Sequence, residues 1–83
     1  MGVFLIHYEL LQKPDTEYPA LIPTLTRLGA VRLTASAWAM RAEMSVAQVR
    51  DEIQLCALQG DRFVVAELSE WRTMSTLNRI DDV

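Results

Sequence analysis

Apolar residues along the chain fall into groups that differ in spacing, and the spacing predicts what each group becomes. Val3-Phe4-Leu5-Ile6-His7-Tyr8-Glu9-Leu10 is a short, nearly continuous apolar run rich in β-branched and aromatic residues. It has the pattern of a strand at the centre of a sheet. A polar loop broken by Pro14 follows. Asp15 or Thr16 is placed to cap the next helix, with Glu17 near the positive end of its dipole. Tyr18, Leu21, Ile22, Leu25 and Leu28 then recur at helical spacing. Pro19 suits a first turn. Pro23 removes one backbone bond, so it bends the helix or delays its regular part. Gly29 supplies a left-handed terminus.

From Ala30 to Arg41 the pattern alternates and predicts one second strand. Val31, Leu33, Ala35, Ala37 and Ala39 share one face, and Arg32, Thr34, Ser36, Trp38 and Met40 the other. The alanines are poor strand formers. Ser45 and Gln48 then have the spacing of a capping box, with Met44 placed to staple against Val49. The stripe continues through Ile53, Cys56 and Ala57 while Arg50, Asp51, Glu52 and Gln54 take the solvated side, and Gly60 is expected to stop the helix. Arg62 to Leu68 is a third strand as apolar as the first. In the last stretch, Ser69 to Val83, Trp71, Met74, Leu77 and Ile80 recur every three residues. That spacing fits a short helix, or an edge strand and tail crossing onto a partner.

The order strand-helix-strand-helix-strand, plus a short C-terminal element, predicts an α+β domain of the ferredoxin-like βαββαβ type with one element shifted or short. Its sheet is expected to be antiparallel with two helices on one face. The first and third strands should be central and the second at an edge. With 83 residues the chain is one domain, residues 1–68 forming its core and 69–83 an edge or dimer-exchange segment. Half its residues are apolar (51%), enough to leave apolar surface over, so a homodimer is expected, with the second copy covering the sheet face that the helices leave open.

Charge narrows the partners. The net charge is -3, and the eight basic residues are scattered. The sequence therefore shows no concentrated basic face for a phosphate backbone, although folding can gather scattered arginines. The single cysteine, Cys56, excludes an intramolecular disulfide and a cysteine-based zinc site, and its helical position predicts a buried apolar role. The N-terminus lacks a positive n-region, and no apolar run approaches the ~18 residues of a membrane span, so a cytoplasmic protein without membrane contact is expected.

Several short motifs resemble one family. Tyr8-Glu9-Leu10 ending the first strand, Pro14 before Tyr18, Leu28-Gly29-Ala30, Ser36-Ala37-Trp38, and Asp61-Arg62-Phe63-Val64-Val65 before Glu67-Leu68 look like the SinR-like proteins. More distantly they resemble the CRISPR-associated protein two and VapD-type toxins. The resemblance spans about residues 3–68. It implies a small ferredoxin-like domain that dimerises through its sheets, often with C-terminal strand exchange. In the CRISPR-associated relatives an aspartate ending the first strand is linked to metal-dependent cleavage of nucleic acid, and Glu9 stands at the matching position.

Candidate chemistry centres on the end of the first strand. If Phe4, Ile6 and Tyr8 face the helices, then Val3, Leu5, His7 and Glu9 line the open face. Phe63, Val65, Glu67, Arg32, Thr34, Ser36 and Trp38 are expected beside them. Glu9 and His7 are then the catalytic candidates, and Glu9 with Glu67 could hold Mg²⁺ or Mn²⁺ for phosphodiester hydrolysis. The competing assignment is an isologous interface of Leu5, His7, Arg32, Trp38, Val65 and Trp71, with the carboxylates paired to Arg32 or Arg62 and no cofactor. The favoured expectation is a non-catalytic homodimeric interaction module. A metal-dependent nuclease is the first alternative; the second is a phage- or plasmid-encoded accessory protein that binds a host complex. Trp38 and Trp71 could stack on bases, so nucleic acid or another protein is the alternative partner. Asp81 and Asp82 read as a solvated tail.

Overall fold

Alternation in the first strand decides the layering of the molecule. The computed structural model describes residues 1–83, the side chain of Asp82 excepted. In β1 (Gly2–Glu9), Phe4, Ile6 and Tyr8 are buried with residues of two helices, while Val3 and Leu5 belong to a second cluster. The helices are α1 (Leu21–Arg27) and α2 (Val46–Gln54). The other strands are β2 (Val31–Thr34), β3 (Ala37–Ala42) and β4 (Arg62–Leu68). All strand pairings are antiparallel and the sheet order is β2-β3-β1-β4. One-turn 3-10 helices occupy Asp15–Glu17 and Ile80–Asp82. No helix is long and apolar enough to cross a membrane.

Local signals account for some helix ends and not for others. Neither Asp15 nor Thr16 caps α1, whose N-cap is Ala20 without a side-chain bond. The reason is that residues 15–17 form a separate turn and the Asp15 carboxylate is taken by Tyr8 and Arg32. Pro23 falls in the first turn of α1, whose first internal bond runs from the Thr24 N–H to the Ala20 carbonyl at 2.9 Å. Its missing donor is therefore one that would have had no partner within the helix. Gly29 takes φ 78°, and the N–H groups of Gly29 and Ala30 bond back to Thr26 and Leu25, closing a Schellman motif. In α2 the Gln48 N–H donates to Ser45 Oγ at 3.1 Å and the Ser45 N–H donates to Gln48 Oε1 at 2.8 Å, so the capping box is complete. Gly60 does not stop this helix, which ends at Gln54. Cys56 and Ala57 instead tighten the chain through bonds to Ile53 and Gln54, and Gly60 lies in the turn that enters β4. Cys56 is buried, as expected.

Three further expectations, all about the sheet, are corrected. Ala30 to Arg41 is not one strand but a hairpin, turning at Ala35-Ser36 with an irregularity between Arg32 and Thr34. The turn has neither glycine nor asparagine, and neither residue takes a positive φ, so the usual hairpin signal is missing. The Tyr8 N–H donating to the Ser36 carbonyl (3.0 Å) and Arg32 Nη1 donating to the Ala35 carbonyl (2.8 Å) hold it instead.

The second correction follows from the first. β3 takes the place beside β1, and β4 lies at an edge. A central strand needs burial on both faces, and Ala37, Trp38, Ala39 and Met40 are all buried, whereas every residue of β4 is exposed or half-buried.

The third concerns the open face. Residues 69–83 fold back across it as a strap of the same chain. Trp71, Ile80 and Val83 pack on Val3, Leu5, Leu33, Ala37 and Ala39. The Leu77 N–H donates to the Leu33 carbonyl (2.8 Å), Asn78 Nδ2 to the Arg32 carbonyl (2.8 Å) and Arg41 Nε to the Val83 carbonyl (3.0 Å). The every-third spacing does not mark one face, since Met74 and Leu77 are exposed and Ile80 is buried.

Candidate functional site

The residues expected to meet at the end of β1 do not assemble. His7 is exposed, flanked by Ala37 of β3 and Val64 of β4. Glu9 stands opposite Arg62, whose Nη1 donates to Glu9 Oε1 at 2.8 Å. Glu67 stands opposite Phe4, five positions along the strand from Glu9 and on the helix face. At ~3.4 Å per residue the two carboxylates are roughly 17 Å apart along the strand, on opposite faces of the sheet. Among the described residues, no three His, Cys, Asp or Glu side chains group as a metal site.

Register also divides the expected interface set. Tyr8 pairs with Phe63, Ile6 with Val65 and with Trp38, and Phe4 with Glu67, so Phe63, Val65, Glu67 and Trp38 stand on the helix side. Arg32 pairs with Trp38 and shares that side. Leu5, His7 and Trp71 stand on the strap side. A strand offset by one residue exchanges its faces, which is how the expected face came apart.

Two hydrogen-bonded clasps that residue spacing does not announce fasten loops to this framework. In the first, Trp38 Nε1 donates to Tyr8 Oη at 2.8 Å, and Tyr8 Oη donates to Asp15 Oδ2 at 2.7 Å. Arg32 Nη1 donates to the same carboxylate oxygen at 3.0 Å, with its guanidinium 4.4 Å above the Trp38 ring. Burial, then the bond to Asp15, pushes the Tyr8 hydroxyl up to about 12. Burial alone would raise Asp15, but the bonds from Tyr8 and Arg32 outweigh it and hold the carboxyl below its ordinary value.

In the second clasp Tyr18 Oη donates to Asp61 Oδ2 at 2.6 Å, and Asp61 also accepts the Leu11 and Leu58 N–H groups at 3.0 and 2.9 Å. Desolvation and the Asp61 bond push Tyr18 up to about 12; at Asp61, bonds from Tyr18, Leu11 and Leu58 outweigh desolvation and lower the carboxyl. The available signal in the sequence was the buried face of β1, since a tyrosine there needs a partner for its hydroxyl. Nothing in residue spacing names the partner. Both carboxylates are engaged within the chain, so the clasps brace loops.

One surface that the chain leaves without a partner lies at an edge of the sheet. β2, the other edge strand, is only four residues long, irregular, and contacted by Leu77 and Asn78. These are common protections against edge pairing. β4 has seven residues, and among the described residues no chain hydrogen bond reaches its outer side. Beside it, between β4 and α2, runs a mainly apolar groove of about 610 Å³ lined by Phe63 and Val65 of the strand and by Val46, Ala47 and Ile53 of the helix, with Arg50 and Asp61 as its charged residues. On the opposite face Val64 is 55% exposed. No family model matches the sequence, and no solved structure matches the chain.

Proposed function

We propose that the protein is a homodimeric binding module of the ferredoxin-like type, resembling the SinR-like proteins, that acts by association without catalysis. The element order β-α-β-β-α-β with sheet order β2-β3-β1-β4 supports the fold, since a split βαβ pair is joined in this way. The observation that carries the function is the contrast between the two edges: one is short, irregular and capped, the other long, uncovered and bordered by an apolar groove. Soluble proteins seldom leave such an edge without a use. The candidate catalytic carboxylate, Glu9, is ion-paired to Arg62, and Glu67 lies far from it. Analytical ultracentrifugation across a concentration series tests the proposal. A reversible dimer is expected; a chain that stays monomeric at its highest soluble concentration overturns it.

A further inference from the structure

We infer that two copies join through antiparallel pairing of their β4 edges about Val65, with Arg50 of each copy meeting Glu67 of the other across the junction. The inference rests on the self-association proposed above and names its surface.

Geometry restricts how one edge can meet its twin. The two-fold axis that sets two identical edges side by side and antiparallel runs perpendicular to the sheet. It keeps the helices of both copies on the same side, so directly opposed residues must share a face. The axis then passes through one residue of β4. Val65 is the midpoint of Arg62–Leu68, so centring there pairs the whole strand with its twin. Val65 then opposes Val65, Val64 opposes Ala66, and Phe63 opposes the partner's Glu67. Centring on Val64 would set Asp61 against Glu67 twice, a repulsive arrangement. Centring on Ala66 would leave Phe63 opposite Ser69, beyond the end of the strand.

Charge complementarity supports the same register. Phe63 and Val65 line the groove together with Arg50 and Asp61. The Asp61 carboxylate is already engaged by Tyr18 and by the Leu11 and Leu58 N–H groups, which leaves the Arg50 guanidinium as the charge available there. The partner's Glu67, opposite Phe63, therefore enters beside that guanidinium, and symmetry forms the pair twice. Both side chains are available. Among the described residues Glu67 makes no ion pair, and Arg50 bonds only its neighbour Asp51, an exposed pair of little energetic weight. The apolar groove explains why the contact is not merely electrostatic, since the partner's strand would close its outer side. A second copy fits this edge because the edge complements itself.

Sedimentation velocity on the wild type, Glu67→Arg, Arg50→Glu and the double exchange provides the test, with circular dichroism confirming the fold of each. Both residues are exposed, so the substitutions leave the core intact. Each single reversal sets like charges together twice and is expected to weaken the dimer at least about tenfold; the double exchange should return its dissociation constant to within about threefold of wild type. A wild-type dimer that Glu67→Arg leaves unchanged overturns this surface while leaving self-association standing, as does a double exchange that fails to restore. A monomeric wild type overturns both and leaves the edge to an extended segment of another protein.

Discussion

Tyr8 shows how one buried hydroxyl organises its neighbours. Its ring belongs to the core, so the hydroxyl must find a partner there, and it joins Trp38 to the Asp15–Arg32 pair. Removing the carboxylate leaves an arginine and a tyrosine without their acceptor. Asp15→Ala is expected to cost about 1–3 kcal/mol, measured by urea denaturation against the wild type. Titration carries the same signature. Asp15 and Asp61 both have carboxyls lowered from 3.8, so the stability they lend is present above that value and is lost as the pH falls through their lower folded values. Denaturation midpoints followed from pH 5 to about pH 2 should fall, and the fall should be shallower in Asp15→Asn/Asp61→Asn. The tyrosines behave oppositely at high pH. With Tyr8 and Tyr18 raised from 10.0 to about 12, their stabilisation holds below 10 and is lost as the pH rises through that window. Ultraviolet titration of the folded protein should show both ionising late, and Asp61→Asn should bring one of them back toward its ordinary value.

At the scale of elements, legibility depended on how local the cause was. The β1 strand, the α2 capping box and the Gly29 terminus were all readable, because each is decided by residues within a few positions of one another. Ser45→Ala should therefore cost about 1 kcal/mol, read from the thermal midpoint. The hairpin between β2 and β3 was not readable, because its turn carries no positive-φ residue and is held by Tyr8 and Arg32. The strap was not readable either. Its apolar residues have a period-three spacing with no structural meaning, and only contact with Ala37, Ala39 and Leu33 selects Ile80 for burial. Ile80→Ala should destabilise the protein by roughly 2–4 kcal/mol, with increased binding of a hydrophobic dye as the face beneath is uncovered.

For the whole molecule, the strap moves the question of association from the sheet face to the sheet edge. Two helices covering only one side of a sheet predict a face-to-face dimer. Trp71, Ile80 and Val83 cover part of the other, so the surface proposed for a second copy is β4 with its groove. Trp38, expected at the interface, is buried on the helix side and bonded to Tyr8. Trp38→Asp should consequently unfold the chain, seen as loss of the cooperative thermal transition, instead of yielding a folded monomer.

The sequence by itself determined the components whose causes are short-range: an apolar strand with one face for the core, helix ends set by Ser45, Gln48 and Gly29, a buried cysteine. Tertiary structure alone decided which strand stood on each side of β1, and with it the faces of Trp38, Val65 and Glu67. The physical reason is the two-residue period of a strand. Alternation shows that two sets of side chains lie on opposite faces, but which face is the core depends on register with strands distant in sequence. That register separated Glu9 from Glu67, turned Trp38 inward and left Glu67 beside an uncovered edge.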